Sequence, residues 1–436
     1  MHEKKHLSFS SLVKNLSERM AQIPDTRQAG KVDYSIHDCC MSAFAMMFFQ
    51  DPSMLEFQTR LQDTHNLNNL KTLFHVQSIP KDSQFRAIID DVPSYLIEET
   101  FLDFYRPLQR GKHLEQFRFL DGRYLVSLDG TQQFSSDAIS CPHCLQKKLK
   151  SGKIIYHHQV LAAAIVHPDN RQVIPLAPEP IHQIDGQSKQ DCEINAGKRM
   201  VGKIREDHSK LNFVILGDSL YSKQPFIDVL LKNNMSFILG AKPDDHKVLF
   251  EWVSELKAMN ETQRLEIRDF EGRQHIYEWV NDVPLNGRQD SRNVNFFEYT
   301  LINEKNKQVF FGTWVTDIAI SEHNITELVK AGRCRWKIEN ENFNTLKNQG
   351  YHAEHNFGHG KKNAGYNFFL FTLLAFFVHQ ILELTDPLFQ ACRQKFSSRK
   401  EFWNQLRCTV RIVVFRSWRH LLEFVRDPPY ITISLR

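Results

Sequence analysis

The segment Tyr-Leu-Val-Ser-Leu-Asp-Gly-Thr, residues 124–131, marks a change from a helical to a β pattern along the chain. Before it, apolar residues recur at spacings of three and four residues, which predicts a separate helical region over residues 1–120. After it, short apolar stretches bounded by turn residues predict strands, with helices between the later ones. The predicted strands are 124–128, 154–166, 172–177, 213–216 and 236–240, and the predicted helices are 189–205 and 225–231. Strands that alternate with helices indicate an α/β sheet domain.

Composition limits the classes of protein to consider. The chain has 436 residues, of which 42% are hydrophobic, and a mild net charge of +4, as expected for a globular protein of two or three domains. The charged start, Met-His-Glu-Lys-Lys-His, does not resemble a secretory signal. The longest apolar run, residues 368–378, is shorter than the roughly 20 residues that cross a bilayer, so a buried helix is predicted. Eight cysteines are too few for a disulfide scaffold. We therefore expect a cytoplasmic protein with reduced cysteines and no membrane partner.

Two aspartates follow predicted apolar strands directly. Asp129 ends the strand at 124–128, and Asp218 follows the strand at 213–216 and a glycine. In an open α/β sheet, ligand-binding groups gather at the carboxyl ends of the strands. An Asp-Gly pair after a strand is also a common turn signal, so each aspartate alone says little. The two together are more informative and make both residues candidates for a metal site.

A third acid, Glu339, lies in a predicted helix over residues 325–348. At about 100° per residue it falls between Phe343 and Leu346 and about 60° from Trp336, within an apolar stripe. Glu341 points to the other side of that helix. A carboxylate among core side chains costs several kcal/mol unless a partner or a metal compensates it.

The compensating group has two candidates. Arg335 lies one turn before Glu339 on nearly the same face, so a simple Arg–Glu pair that anchors the helix is one interpretation. Three acids that meet at one place favour the other, because carboxylate oxygens are the ligands that Mg²⁺ or Mn²⁺ prefers.

These motifs resemble those of insertion-sequence transposases of the DDE superfamily, in the branch with a β insertion before the catalytic glutamate. The resemblance covers roughly residues 120–385 and is carried by Leu-Asp-Gly-Thr at 128–131, Gly-Asp-Ser-Leu-Tyr at 217–221 and Arg-Trp-Lys-Ile-Glu-Asn at 335–340. It implies a ribonuclease-H-like fold, a mixed sheet with helices. It also implies DNA nicking and strand transfer, with two Mg²⁺ or Mn²⁺ ions held by Asp129, Asp218 and Glu339.

The same resemblance implies residues that bind DNA. The branch has a pattern of Tyr, two residues, Arg, three residues, Glu, six residues and Lys, which Arg335 and Glu339 match in register. Gly332 stands at the tyrosine position, and Lys347 is one residue after the lysine position. Phosphate contacts are thus implied for Arg335 and Lys347, and a DNA contact for Tyr221.

The implied organisation has five parts. We expect a helical DNA-binding domain at 1–120, the first part of the catalytic domain at 121–242, a β-rich insertion at 243–320, the end of the catalytic domain at 321–385, and a basic, aromatic region at 386–436. The expected partners are transposon ends and target DNA, bound by a homodimer in the synaptic complex and hence at the nucleoid. Two alternatives stay open: a catalytically inactive, transposase-derived DNA-binding protein, and a ribonuclease-H-like nuclease.

Three further patterns have both a functional and an ordinary interpretation. Cys141 and Cys144 have the spacing of half a zinc site, which His157 or His158 could extend, although an ordinary hairpin with reduced cysteines is the favoured interpretation. The three histidines of the segment 351–362, which include His359, fit no compact ligand set. In residues 391–420, basic and aromatic side chains alternate, as on a nucleic-acid surface or on a merely solvated helix.

Overall fold

The architecture is that of an α/β protein built on one mixed sheet. The computed structural model describes residues 6–28, 30, 32–61, 64–79, 81–182 and 191–429. Within these residues the sheet has twelve strands. They are β1 (Arg118–Phe119), β2 (Arg123–Ser136), β3 (Leu145–Lys148), β4 (Ile154–Val166), β5 (Ile174–Pro175), β6 (Glu179–Ile181), β7 (Phe213–Gly217), β8 (Ser236–Gly240), β9 (Gln263–Arg268), β10 (Gln274–Pro284), β11 (Asn293–Ile302) and β12 (Gln308–Thr316).

The strand order is β3-β4-β2-β7-β8-β12-β11-β10-β9, with β1 beside β2 and both β5 and β6 beside β4. Strands β3, β4 and β2 pair antiparallel, whereas β2, β7 and β8 are parallel. All five residues of β7 are buried, as is usual for a parallel strand covered on both faces. The predicted β insertion does not form a sheet of its own, because β12 pairs antiparallel with β8 and extends the same sheet.

The helices precede, connect and follow these strands. They are α1 (Phe9–Ala21), α2 (Ile36–Phe48), α3 (Met54–Leu61), α4 (Thr64–Phe74), α5 (Asp82–Asp91), α6 (Ser94–Arg110), α7 (Glu193–Asp207), α8 (Gln224–Lys232), α9 (Lys247–Ala258), α10 (Ile325–Cys334), α11 (Asn344–Asn348), α12 (Ala364–Thr385), α13 (Pro387–Gln394), α14 (Arg399–Ile412) and α15 (Trp418–Arg426). A π-helical turn (Ile338–Phe343) lies between α10 and α11.

Helix α12 is the centre of the helical part of the protein. It packs against α2, α5 and α6 from the N-terminal region and against α13. By length and composition it could cross a membrane, but 83% of its most apolar window is buried within the protein. The prediction of a buried helix over 368–378 is therefore confirmed. One continuous hydrophobic cluster runs from α1 through the sheet to α15, so the N-terminal helices share their core with the rest of the chain.

Strand β2 is longer than its apolar stretch predicts. It continues to Ser136 because β4 pairs with it along nearly its whole length, whereas β7 pairs with it only as far as Ser127. The prediction that Asp129 ends a strand is therefore wrong, and Asp129 lies opposite Ala162 of β4. Strand β9 was not predicted, since it lies at the sheet edge and has almost no buried residue.

Candidate active site

The strand register brings Asp129 and Asp218 to the same level of the sheet. Ser127 of β2 lies opposite Leu216 of the parallel strand β7, and each aspartate is two residues further on. At this level β7 has ended, so β2 has no partner on that side. The turn after β7 is held by the Asp218 carboxylate, which accepts a hydrogen bond of 2.9 Å from the backbone N–H of Leu220.

Packing on the neighbouring strand β4 places the third acid nearby. Ala162, the cross-strand partner of Asp129, forms a small buried cluster with Ile338 and Phe343 of the π-helical turn. Directly opposite residues of antiparallel strands point to the same face. The turn that carries Glu339 therefore lies on the face of the sheet that Asp129 faces.

Arg335 connects the two carboxylates. Its Nη1 atom is 2.7 Å from Oε1 of Glu339 and 3.7 Å from Oδ2 of Asp129. The carbonyl oxygen of Arg335 also accepts a hydrogen bond of 3.0 Å from the buried Ser127 hydroxyl, which fixes the start of this turn to β2. The Arg–Glu pair considered as the simpler interpretation is thus present, but it includes Asp129 as well.

The charges at this place do not balance. Burial raises the pKa of Asp129 and, although Arg335 lowers it, the carboxylates of Glu339, Glu193 and Asp218 raise it further, to about 7. Asp129 thus lies near three further carboxylates, whereas the one guanidinium, that of Arg335, pairs with Asp129 and Glu339. A cation bound here would stabilise the ionised form of Asp129, because an opposite charge within a few ångströms favours the ionised carboxylate.

Glu193 is the fourth acid, and sequence reasoning did not identify it as part of the site. It begins α7, where an acid is already favoured by the helix dipole, so its position alone gave no functional signal. Its carboxylate accepts a hydrogen bond of 2.6 Å from the Tyr221 hydroxyl and one of 3.2 Å from the Gln159 amide. A Cβ atom at position 130 would overlap this carboxylate, so Gly130 leaves the space that Glu193 occupies.

Two of the residues with implied DNA contacts have other partners. Tyr221 is only 1% exposed and donates its hydroxyl hydrogen to Glu193, so the phenol lies inside the protein, and its DNA contact stays a prediction of the resemblance. Lys347 forms an ion pair of 2.9 Å with Glu354. Arg335 is the residue of this group that lies beside the acids.

The apolar stripe predicted for Glu339 is only partly correct. Phe343 and Leu346 are buried, but Trp336 is 52% exposed and its ring contacts the Arg335 guanidinium at 5.2 Å. The α-helical angle of about 100° per residue does not apply here, because a π-helical turn with i→i+5 hydrogen bonds begins at Ile338, between Trp336 and Glu339. One third of the Glu339 side chain is exposed, so it can meet a ligand from solvent.

A second cluster joins the predicted half zinc site to two histidines. The thiols of Cys141 and Cys144 lie beside His158 of β4 and His359, with their ligand atoms within 4.8 Å of one another. His359 was not predicted to be a ligand, because it is 215 positions from Cys144 and no local spacing relates them. Within the described residues, this is the one group of Cys, His, Asp and Glu side chains that is this compact.

The basic C-terminal region does not present its rings to solvent. Phe402, Trp403, Phe415 and Trp418 are buried in the shared core, so the hypothesis that these aromatic residues stack on bases is wrong for these four. Arg407 donates to the carbonyl oxygen atoms of Phe49 and Gln50, and Arg399 pairs with Glu383 at 2.9 Å. These two basic side chains stabilise the packing of α14.

Comparison with known proteins gives no match, since neither a protein-family model nor a curated protein matches this chain.

Proposed function

We propose that this chain is a DNA transposase that cleaves and joins phosphodiester bonds with divalent metal ions at Asp129, Asp218 and Glu339. The observation that carries the proposal is that three acids far apart in sequence lie near one another: Arg335 pairs with Asp129 and Glu339, and Asp218 and Glu339 both raise the pKa of Asp129. The motifs that resemble those of DDE transposases contain these same three residues.

The sheet supports a ribonuclease-H-like fold. Three antiparallel strands, β3, β4 and β2, are followed by the parallel strands β7 and β8, with α7 before β7 and α8 before β8. Such a sheet is what the resemblance implies for the catalytic domain. Strands β9–β12 lie between β8 and Glu339 in the sequence. This agrees with the transposase branch that has a β insertion before the catalytic glutamate.

The residues present fit Mg²⁺ or Mn²⁺. Both ions prefer carboxylate oxygens, and Asp129 is held near its acid form by burial and by neighbouring carboxylates that lack a matching positive charge. Asp129 and Asp218 would hold the metal ions, and Glu339 would complete the ligand set. When bound, the ions would neutralise the reacting phosphate and lower the pKa of an attacking water.

The protein side chains then have distinct tasks. Asp129 must lose its proton to bind metal. The Arg335 guanidinium is always positively charged, and its N–H groups can donate hydrogen bonds to a phosphate. Tyr221 and Gln159 hold the Glu193 carboxylate in place beside the other acids. The reaction replaces one oxygen on phosphorus by another, so a water (nicking) and a 3′-hydroxyl (joining) can use the same site.

The proposal is tested with duplex DNA that contains the sequences flanking the gene. With Mg²⁺ or Mn²⁺ the wild-type protein should nick these ends and join them to a second DNA, with two protomers bound to two ends. Asp218→Asn and Glu339→Gln should bind the ends but neither nick nor join them. Glu341→Gln is the matched control, because Glu341 lies in the same turn but within reach of Arg171, at 3.8 Å.

The other outcomes identify the alternatives. Wild-type protein that binds ends without any cleavage would indicate a catalytically inactive DNA-binding protein. Cleavage without joining, on DNA of any sequence, would indicate a nuclease. Wild-type activity in Asp218→Asn would contradict the proposed site.

A further inference from the structure

We propose that Cys141, Cys144, His158 and His359 form a structural zinc site, which ties the segment after Glu339 to β4 and to the connection that follows β2, the strand that carries Asp129. The assignment of these four ligands depends only on the geometry of the cluster. The effect of the zinc site on catalysis rests on the proposed function.

The distances between the four side chains fit a tetrahedral zinc ion. The two sulfur atoms are 3.8 Å apart, Cys141 Sγ is 3.2 Å from His158 Nε2, and Cys144 Sγ is 3.3 Å from His359 Nε2. With Zn–S bonds of about 2.3 Å and Zn–N bonds of about 2.0 Å, a tetrahedron places two sulfurs about 3.8 Å apart and sulfur and nitrogen about 3.5 Å apart. These three distances agree within a few tenths of an ångström, and the four ligand atoms together lie within 4.8 Å, so the side chains would move closer by about 1 Å at most around the ion.

The orientation of His359 favours a metal ligand. Its Nδ1 atom lies 2.9 Å from the carbonyl oxygen of Gly360, which can only accept a hydrogen bond. Nδ1 therefore carries the proton, and Nε2 presents its lone pair to Cys144. A histidine ligand whose other nitrogen donates to a backbone carbonyl is the usual arrangement in metal sites.

Burial and charge favour a structural site. Cys144, His158 and His359 are buried, and Cys141 is partly exposed. All four positions are filled by protein atoms, which is typical of structural zinc, whereas catalytic zinc keeps a position for water or substrate. Two thiolates and one Zn²⁺ are neutral together, so the occupied site can be buried at little electrostatic cost.

The four ligands come from parts of the chain that flank the acids. Cys141 and Cys144 lie in the connection between β2 and β3, and His158 lies on β4 opposite Phe134 of β2. Phe134 is five positions beyond Asp129, roughly 17 Å along the strand at about 3.4 Å per residue, so the two sites are distinct. His359 lies between α11 and α12, in the segment that follows the Glu339 turn.

A second contact fixes this segment on its other side. The Asp90 carboxylate accepts hydrogen bonds from the backbone N–H groups of Lys361, Lys362, Asn363 and Ala364. The segment is thus held by α5 at one point and by the Cys/His cluster next to it. Loss of the metal should loosen the segment without releasing it, so the protein should remain folded.

The direct test is the metal content of the full-length protein purified without chelator. We expect about one zinc ion per chain, and tetrahedral cobalt–thiolate absorption after growth with Co²⁺. Cys141→Ser and His359→Gln should lose the zinc and melt at a lower temperature. The matched controls are His157→Gln, whose side chain points to the opposite face of β4 from His158, and the exposed Cys192→Ser. Both should keep the zinc.

Three results would overturn the proposal: wild-type protein that has no zinc and takes none up when Zn²⁺ is added, a disulfide between Cys141 and Cys144 in protein kept under reducing conditions, or full zinc content in Cys141→Ser. If a variant fails to fold, zinc release from the wild-type protein by a chelator, followed by its melting temperature, gives the same information. Metal content does not depend on DNA cleavage, so failure of the transposase proposal would leave this result interpretable.

Discussion

Replacement of the buried acid Asp129 by asparagine should make the protein more stable at neutral and alkaline pH while it abolishes DNA cleavage. Burial and three neighbouring carboxylates raise the pKa of Asp129 from 3.8 to about 7. A raised pKa means that the folded state favours the neutral carboxyl. The contribution of Asp129 to stability is therefore fully present below about pH 4 and is lost as the pH rises through about 7.

The size of the effect follows from that shift. About three pKa units at about 1.4 kcal/mol each set an upper limit of about 4 kcal/mol for the destabilisation by the ionised group. Partial solvent access and the cost of burying the asparagine amide, about 1–3 kcal/mol, reduce the net gain. We expect Asp129→Asn to gain about 1–2 kcal/mol more at about pH 8 than at about pH 5.

Urea unfolding of both proteins at the two pH values, without added divalent metal, measures this difference. Asp228→Asn is the control, because Asp228 is an exposed residue that pairs with Arg292, and such surface pairs contribute about 0–1 kcal/mol at any pH. A stability difference between wild type and Asp129→Asn that does not change with pH would refute the electrostatic reasoning. Added Mn²⁺ should stabilise the wild-type protein and not the Asp129→Asn variant, since metal needs the ionised carboxylate.

Three further predictions concern the same site. The affinity for Mn²⁺, measured by calorimetry, should rise up to about tenfold per pH unit below pH 7 and level off above it, because Asp129 must be ionised to bind metal. An affinity that does not depend on pH would count against this prediction. Gly130→Ala should displace the Glu193 carboxylate, lower the rate of DNA cleavage, and lower the free energy of unfolding in urea by about 1–3 kcal/mol. An unchanged cleavage rate and free energy of unfolding would show that Glu193 does not need the space beside Gly130. Tyr221→Phe should cost about 1–3 kcal/mol, since it leaves the half-buried Glu193 carboxylate without its shortest hydrogen bond. It should leave DNA end binding unchanged, and weaker end binding would instead indicate that Tyr221 contacts DNA.

The sequence predicted which acidic residues lie together better than it predicted the contacts that surround them. Asp129 and Asp218 could be found because apolar strands precede them, and Glu339 because of its motif and its partner Arg335. Glu193 could not be found, because an acid in the first turn of a helix has a sufficient local explanation. Its role depends on contacts with Tyr221 and Gln159 that only the folded sheet creates.

The same limit applies to the metal ligands and to the helices. The spacing of Cys141 and Cys144 indicates half a site, but His359 joins them only because the segment before α12 returns to the β2–β3 connection. Neither the π-helical turn around Glu339 nor the exposure of Trp336 just before it was predictable from a helical period. The burial of α12, by contrast, was predictable from the length of its apolar run alone.

The central position of α12 has a consequence for the order in which the protein can fold during synthesis. Helices α2, α5 and α6 pack against α12, which is made about 250 residues after α6, a delay on the order of 10–50 s at about 5–20 residues per second. During this time α2, whose apolar side chains are nearly all buried in the finished protein, can pack against α1, α4 and α5 but lacks α12. The nascent N-terminal region should therefore depend on chaperones, and a fragment that ends before α12 should aggregate rather than serve as an independent DNA-binding domain.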